Sequence, residues 1–370
     1  MKIGILGTRG IPNNYGGFEQ WAEYLSQGLV KRGCEVYVYN SHNHPFQEKR
    51  WKGVNIVHCY DPEFRIGTAG QFIYDLNCIL DSRRRKFDIL LQLGYTSSSV
   101  WGWLLPRRKS SILTNMDGFE WQRDKFNKYV RGFLQYAEKL AVFFSDALIA
   151  DSSIIKTYYD KNYTKPVFFI PYGASVFSNA DKAKLKGYNV EPYRYNLLVA
   201  RLESENNIEA IIAGILKSKS QLPLLIVGNH KISHGKYLKE KYGHDIRIRF
   251  QGSIYDLDIL NNLRHFSNLY FHGHSVGGTN PSLLEAMASS ALICSHDNPY
   301  NRSVLDGNAF FFSTSEGVSE IINKHTDKKN YSDKIEGNMQ RIINYYLIDN
   351  IIESYYRLFL DMRKNNNIKT

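Results

Sequence analysis

Short apolar runs separated by polar or glycine-rich segments recur along the first half of the chain, and each predicts a buried strand. These runs lie at 2–6, 35–39, 54–60, 88–94, 110–118 and 146–152. Between the first two, apolar side chains recur at helical spacing from Phe18 to Arg32, and Gly33 marks the end of the predicted helix. A strand, a helix and a second strand in this order are typical of a parallel sheet.

The longest helical pattern of the first half covers 123–144. Apolar residues predict one face of this helix: Phe126, Tyr129, Val130, Phe133, Leu134, Ala137 and Leu140. Basic residues lie on its other sides: Arg123, Lys125, Lys128, Arg131 and Lys139.

A second alternation follows the apolar run at 167–174. Strand-like runs lie at 195–201, 222–229, 246–252, 268–274 and 291–297, and helical patterns lie at 206–219, 257–266 and 281–290. Two alternations of this size predict two doubly wound α/β domains, with the polar stretch 175–194 as the linker region. Ligands of such sheets bind beyond the carboxyl ends of the strands, so the default expectation is a substrate cleft between the domains.

A glycine-rich loop, GTRGIPNNYGGFE at 7–19, joins the first strand to the first helix. Its glycine spacing fits neither the G-x-G-x-x-G dinucleotide pattern nor the G-x-x-x-x-G-K-[ST] phosphate loop. Gly16 and Gly17 still allow the backbone to approach a ligand closely, and the free N–H groups of the following helix favour an anion or a polar sugar. The alternative is a tight turn without a ligand.

A second loop of this kind lies within GHSVGGTNPSLLEAM at 273–287. Pro281 is typical of a first helical position, and the residue before it is a typical helix cap. The loop therefore presents several N–H donors to an anion, and the residues expected to contact a donor substrate here are Gly277, Gly278, Thr279 and Asn280.

Two charged residues near these loops are further candidates. Glu285, in the second turn of the same predicted helix, could bind a pair of ligand hydroxyls, or it could be an exposed carboxylate near the favourable end of the helix dipole. Arg201 ends the strand-like run at 195–201, where it is either a phosphate clamp or a surface residue in a salt bridge.

These segments, in this order, resemble the retaining nucleotide-sugar glycosyltransferases of family four, which have the GT-B fold. The resemblance spans nearly the whole chain and is carried by YGGFEQWAEYLSQGLVKRGCEVYVY, VFFIPYGA, ARLESENNIEAIIAG, LLIVGN, FQGSIYDLDILNNL and GGTNPSLLEAMASSALICS. More narrowly, GTRGIPNNYGGFE, NMDGFEWQR and GHSVGGTNPSLLEAMA resemble the bacterial subgroup that includes rhamnosyltransferases of capsule and cell-wall polysaccharide synthesis.

The resemblance implies two Rossmann-like domains facing a central cleft. The acceptor-side domain would cover 1–172 and the nucleotide-sugar-binding domain 173–343, and a final helix within 344–370 would cross back to the first domain. The implied substrates are a nucleotide sugar, expected to be dTDP-rhamnose as donor of L-rhamnose, and a lipid-linked saccharide acceptor of capsule, O-antigen or cell-wall synthesis.

The implied reaction is a front-face transfer that retains anomeric configuration, with the leaving phosphate helping to deprotonate the acceptor. Such a transfer separates charge, and the protein must stabilise the developing anion. Arg201 and the helix N-termini behind Gly16-Gly17 and Gly278-Thr279 would do so without a metal or another cofactor. By the same resemblance, Glu285 would bind the ribose hydroxyls.

Two positions depart from the family pattern. The first of the family's two glutamates falls on Gly277, so recognition of the donor sugar is expected to differ, with Thr279 or Asn280 contributing. A lysine usually follows the arginine by five residues, and Asn206 stands there instead. Arg9 and Arg302 are the candidates for the missing cation.

The segment TNMDGFEWQR at 114–123 stands where the family usually has a histidine close to the donor sugar. Asp117 and Glu120 occupy this neighbourhood. Asp117 is either a turn residue before Gly118 or a catalytic residue that binds a sugar hydroxyl or stabilises positive charge on the sugar.

Charge adds a prediction about location. The formal net charge is +11, and the first half contains two basic clusters, Arg83–Lys86 and Arg107–Lys109, the second just after Trp101 and Trp103. With the amphipathic pattern at 123–144, they predict a cytoplasmic protein bound peripherally to the inner face of the membrane, since no apolar run reaches the ~18 residues of a span. The alternatives are a solvated surface and a helix packed on its own sheet. No zinc-finger spacing or RNA-binding signature favours a nucleic acid partner.

Two other function classes remain open. Related two-domain folds include nucleotide-sugar epimerases, and the glycine at position 277 is compatible with a binding protein that has lost activity. The four cysteines are widely spaced and predict inert thiols.

Overall fold

Two parallel sheets organise the chain. The computed structural model describes residues 1–116, 118–123, 126–325 and 327–369. The first compact unit comprises residues 1–172 together with the final segment from Asp349, and the second comprises Gly173–Ile348.

The first unit contains eight strands and five helices among its described residues, followed by the last helix of the chain. The strands are β1 (Lys2–Leu6), β2 (Glu35–Ser41), β3 (Arg50–Trp51), β4 (Val54–Cys59), β5 (Ile89–Leu93), β6 (Ser111–Asn115), β7 (Ala147–Ala150) and β8 (Val167–Phe169). The helices are α1 (Gly17–Lys31), α2 (Glu63–Ile66), α3 (Gly70–Arg85), α4 (Lys128–Phe144) and α5 (Ser153–Asn162). The strand order is β3-β4-β2-β1-β5-β6-β7-β8, and every pair except β3–β4 is parallel.

The second unit has the strand order β11-β10-β9-β12-β13-β14, and all pairs are parallel. Its strands are β9 (Asn196–Val199), β10 (Leu224–Val227), β11 (Ile248–Gly252), β12 (Tyr270–His272), β13 (Ile293–His296) and β14 (Phe310–Phe312). The helices from here to the end are α6 (Ile208–Lys217), α7 (Ser233–Tyr242), α8 (Leu257–Phe266), α9 (Pro281–Ala288), α10 (Pro299–Leu305), α11 (Ser315–Lys324), α12 (Ser332–Arg341) and α13 (Ile348–Lys369).

The last helix, α13, packs on α1 within the first unit. The rings of Trp21 and Tyr355 are 5.4 Å apart between centroids. A side chain at Gly28 would lie 2.6 Å from Ile352, so the glycine permits the close approach of the two helices. Arg32 and Glu353 add an ion pair of 2.9 Å at the edge of this contact.

Both sheets have a point where the order of the strands reverses. In the first sheet β1 lies between β2 and β5, and in the second β9 lies between β10 and β12. Loops that leave neighbouring strands in opposite directions at such a point open a crevice, which is where ligands of doubly wound sheets bind. The glycine-rich loop at 7–16 follows β1, and the loop with Arg201 follows β9.

The two doubly wound α/β domains predicted from the sequence are confirmed. The predicted helix at 123–144 begins only at Lys128, because the Asn127 side chain caps the N–H groups of Tyr129 and Val130. Of the residues predicted to share one apolar face, Leu134 and Ala137 are buried, whereas Tyr129 is 77% exposed and so does not lie with them. All four cysteines are free and buried.

Candidate functional site

The crevice of the second sheet is formed by the loops after β9 and β12, which are tied to each other. Asn207 Nδ2 donates to the carbonyl of Gly273 at 2.8 Å, and the Ser275 hydroxyl donates to the carbonyl of Glu205 at 2.8 Å. A side chain at Gly273 would lie 2.0 Å from the Asn206 carbonyl, so the loops meet backbone to backbone. The two loops therefore form one rigid rim.

Arg201 lies on this rim with its guanidinium accessible. Its side chain is 56% exposed, and Nη1 lies 3.9 Å from the Glu203 carboxylate, at the limit of an ion pair. Asn206, at the position where the resemblance implies a lysine, is buried and donates to the Arg201 carbonyl at 2.7 Å. Asn206 therefore fixes the loop on which Arg201 stands and contributes no charge.

The proposed substitutes for that lysine are already paired. The Arg9 guanidinium forms two hydrogen bonds to the Glu63 carboxylate, at 2.8 and 3.0 Å. Arg302 is likewise bidentate to Asp297. Neither arginine presents an uncompensated charge in this structure.

The loop after β12 ends in the capped start of α9. Asn280 Oδ1 accepts from the N–H of Ser282 at 2.9 Å, and Pro281 occupies the first turn. Gly277 has a φ of +117°, a conformation that side chains rarely adopt, although the space around it is open. A glutamate there would need a different loop backbone. Gly278 and Asn280 are partly exposed, and Thr279 is buried.

Glu285 follows one turn later on α9 and is largely buried. Its Oε2 lies 2.6 Å from Nη2 of Arg264 on α8, whose side chain is 1% exposed. Arg264 also donates to Asn261 and Ser282. The alternative interpretation, an exposed carboxylate on the helix surface, is therefore wrong.

Two histidines at the end of β12, His272 and His274, were missed by the sequence interpretation. The rings of His272 and His274 are stacked with centroids 4.4 Å apart and planes inclined by 14°. The carbonyl of His274 accepts from Asn298 and Asn301, at 3.0 and 2.9 Å. The available signal was the pattern H-x-H at the end of an apolar run, next to the glycine loop.

In the first unit, the glycine-rich loop is held against the sheet by its own helix. The N–H of Arg9 donates to Glu19, and the N–H of Asn13 donates to Glu23, both at 2.8 Å. Gly7 has a φ of +86°, and a side chain on it would lie 2.2 Å from the Leu93 carbonyl. Gly16 precedes α1 as its cap residue, without a side chain to occupy the helix start, and Gly17 is the first helical residue.

A buried carboxyl group, also missed by the sequence interpretation, lies beside this crevice. Asp75 on α3 accepts from the Ser97 hydroxyl at 2.5 Å, and Ser97 lies in the loop after β5. The hydroxyl of neighbouring Tyr74 donates to the Thr8 carbonyl at 2.9 Å, in the loop after β1. Burial raises the pKa of Asp75 to about 7, against the opposing effect of the Ser97 hydrogen bond.

The predicted catalytic Asp117 lies outside the described residues. The loop that follows it, 118–123, is held to α4 through the buried carboxylate of Glu138. This carboxylate accepts from Trp121 Nε1, Tyr158 and Tyr163, each at 2.9 Å. Glu120 pairs with Arg123 at 2.6 Å within the loop.

The described residues contain no group of three or more His, Cys, Asp or Glu side chains suited to a metal ion. None of the helices in the described part of the chain has the length and apolar character needed to cross a membrane.

Comparison with known proteins adds one family and a set of solved structures. Residues 1–175 match a family described as a domain of unknown function (DUF1972). A comparison with curated protein sequences found no match.

Solved structures match along almost the whole chain. Sucrose-phosphate synthase from Thermosynechococcus elongatus superposes with a TM-score of 0.79 at 14% identity, covering 98% of both chains. HepE from Anabaena, in complex with UDP and glucose, gives 0.75 at 16% identity, covering 98% of this chain and 100% of its own. Trehalose 6-phosphate synthase from Burkholderia multivorans gives 0.73 at 10% identity, covering 100% and 98%. At these identities the likeness establishes the fold, which is GT-B.

Proposed function

We propose that the protein is a glycosyltransferase that takes its sugar from a nucleoside-diphosphate donor bound at the β9–β12 crevice. One observation carries the proposal: Arg201 stands exposed on a rim that also presents the glycine loop and the capped N-terminus of α9. A guanidinium and several N–H groups at one edge suit a leaving diphosphate, whose charge grows as the sugar departs. HepE, with the same fold, has been solved with UDP-glucose.

The proposal assigns a donor contact to each of these residues. Gly277, Gly278 and Thr279 bring the backbone close to the phosphates, and Asn280 holds the start of α9 in place. Arg201 neutralises the leaving group. Glu285 binds the ribose, with its carboxylate oriented by Arg264.

The first unit carries the acceptor. Its crevice lies between the loop after β1 and the loop after β5, and Asp117 follows the neighbouring strand, β6. Gly16 and Gly17, at the start of α1, are proposed to contact the donor. The reaction is a metal-independent front-face transfer with retention, in which the leaving phosphate accepts the acceptor's proton. By the resemblance of GTRGIPNNYGGFE and GHSVGGTNPSLLEAMA, the donor is dTDP-rhamnose and the acceptor a lipid-linked saccharide of polysaccharide synthesis.

One surface of the first unit has the composition expected of a protein that works at a membrane, where a lipid-linked acceptor would lie. Three aromatic rings on α4 recur every seven residues, at Tyr129, Tyr136 and Phe143, and are exposed along one side of the helix. Trp103, in the segment before β6, is exposed as well. We call these four residues the aromatic stripe. Arg107 lies 5.9 Å from the Phe143 ring and Lys128 5.1 Å from the Tyr129 ring, and Arg108, Lys109 and Lys139 are further exposed cations of this unit. The composition fits the headgroup region of an anionic membrane on the cytoplasmic side.

The experiment is incubation of the purified protein with a panel of nucleotide sugars and a lipid-linked saccharide. Transfer from dTDP-rhamnose with the anomeric configuration retained, observed by NMR of the product, is the expected result. Release of a free epimer would indicate an epimerase, and binding without turnover would indicate a protein that has lost activity. Arg201→Ala, assayed in parallel, shows whether any transfer depends on the proposed site.

A further inference from the structure

The stacked histidines at the end of β12 are part of the same rim as the donor site. His274 is partly exposed, whereas the ring of His272 beneath it is buried. The loop carrying His274 continues directly into Gly277 and Gly278 and is tied to the Arg201 loop through Ser275. His274 therefore shares the crevice with Arg201.

His272 is a buried polar ring, and an apolar side chain would be enough if packing were its only role. The residue is 1% exposed, and neither of its ring nitrogens has a hydrogen-bond partner among the described residues. Burial lowers its pKa well below the ordinary value, and the nearby His274, His296 and Arg264 act in the same direction. Burial therefore favours the neutral form of the His272 ring.

The outer ring is held in position from two sides. Its face rests on His272 at 4.4 Å, and its backbone carbonyl is fixed by the two amide side chains of Asn298 and Asn301. A group whose ring plane and backbone are both fixed loses little freedom on binding a ligand.

We propose that His274 is a donor-binding residue that contacts the distal phosphate of the nucleoside diphosphate, with His272 as the ring that positions it. This inference rests on the proposed function and names a second phosphate ligand for it. An imidazole N–H donates to a phosphate oxygen, and a protonated imidazole adds charge. His274 thus supplies the contact that Asn206, turned toward the Arg201 carbonyl, does not make.

The test is a binding titration of the full chain with a nucleoside diphosphate and the corresponding monophosphate. His274→Phe keeps a flat ring on His272 and removes both nitrogens, so the stack and the fold are expected to persist. The variant should bind the diphosphate about tenfold more weakly, because a hydrogen bond to a charged group is lost. Its affinity for the monophosphate should change less than twofold.

The matched control is His244→Phe. His244 is exposed and precedes β11, at the amino edge of the same sheet, so both affinities should stay unchanged. Equal losses for the two nucleotides in His274→Phe, or no loss for either, would overturn the assignment. Failure of the parent protein to bind any nucleoside diphosphate would instead contradict the proposed function. A thermal melt of each variant verifies that it is folded, and if His274→Phe is not, His274→Gln replaces it under the same criteria.

Discussion

The guanidinium of Arg264 on α8 and the carboxylate of Glu285 on α9 form an ion pair with 2.6 Å between Nη2 and Oε2. Arg264 is almost completely buried, so the pair neutralises a charge inside the second unit. The ribose role proposed for Glu285 therefore has to coexist with a structural role. Substitutions of Glu285 will combine the two effects unless they are separated by design.

Glu285→Gln should lower the free energy of unfolding by as much as ~3–5 kcal/mol, because it leaves the Arg264 charge without its carboxylate partner. It should also weaken nucleoside binding if the carboxylate holds the ribose hydroxyls. Chemical denaturation and a nucleoside titration of the same preparation measure both effects.

The double variant Arg264→Gln with Glu285→Gln separates them. Removing both charges should restore much of the stability, since the uncompensated guanidinium is gone. Nucleoside affinity should remain low. If affinity returns together with stability, Glu285 serves the fold and does not bind the ribose.

Arg201→Ala should reduce turnover by roughly 10²–10³-fold, the loss expected when one preorganised group facing a developing anion is removed (~3–4 kcal/mol). Stability should hardly change, because the side chain is mostly exposed. Arg194→Ala is the matched control, since Arg194 is exposed at the opposite end of the same strand, β9. A rate for Arg201→Ala within about threefold of the parent would contradict the assignment.

Much of the fold could be predicted because strands and helices in this chain have clear local patterns. Helix α8 has the predicted bounds, 257–266, since Asp256 caps it and the apolar positions keep helical spacing. The helix α7 was missed, because its sequence SHGKYLKEKY buries only Gly235 and Leu238 and its polar face dominates. Short β14, with three phenylalanines, was also missed.

The candidate site was less predictable from the sequence. Whether a charged residue is free to bind a ligand depends on ion pairs and hydrogen bonds with residues that are distant in the sequence. From the sequence, Arg9 and Arg302 were candidates to replace the cation missing at Asn206, and only the structure shows that both are held in bidentate contacts with carboxylates. Asp75 and Glu138 lie on helices, α3 and α4, where polar residues normally face solvent. Their burial depends on partners far along the chain, Ser97 and Tyr163 among them.

Glu138→Gln tests the hydrogen bonds that hold the loop at 118–123 to α4. The substitution leaves one carbonyl oxygen where a carboxylate accepted three hydrogen bonds, so stability should fall by ~1.5–3 kcal/mol. Because Trp121 loses its acceptor, its fluorescence maximum should shift relative to the parent. A Trp121→Phe background should abolish that shift, and its persistence there would assign it to another tryptophan.

Asp75 predicts a specific pH dependence of stability. Its pKa of about 7 in the folded protein, against 3.8 for the ordinary side chain, means that between these values the folded protein keeps a proton that the unfolded chain has lost. This group therefore lowers the free energy of unfolding as pH rises from about 4 to 7, by at most ~1.4 kcal/mol per pH unit. Asp75→Asn should remove this decline. Denaturation at pH 5 and pH 8 should show the variant gaining on the parent at the higher pH, and an unchanged difference would place the ionisation elsewhere.

The aromatic stripe and its cations predict binding to anionic membranes. Trp103 is exposed, whereas Trp101 is partly buried and donates from Nε1 to the Phe72 carbonyl, so only the former belongs to the surface. The face of α4 with Leu134, Ala137 and Ala141 is buried, so the helix can pack on its unit and still present aromatic rings to lipid. Co-sedimentation should show stronger binding to vesicles with anionic lipid than to neutral ones, decreasing with salt.

Two sets of variants distinguish the contributions to this binding. Replacing Arg107, Arg108 and Lys109 with Ser should weaken binding to anionic vesicles by roughly tenfold or more, at ~1 kcal/mol for each well-placed cation. Replacing the exposed Lys182, Lys186 and Lys219 of the second unit removes the same charge and should have little effect. Tyr136→Ser with Phe143→Ser should weaken binding while preserving its salt dependence, because apolar insertion is lost and the cations remain. Equal effects of the two triple variants would mean that the net charge of the protein attracts it to the vesicles. The cations near the aromatic stripe would then contribute no more than any others.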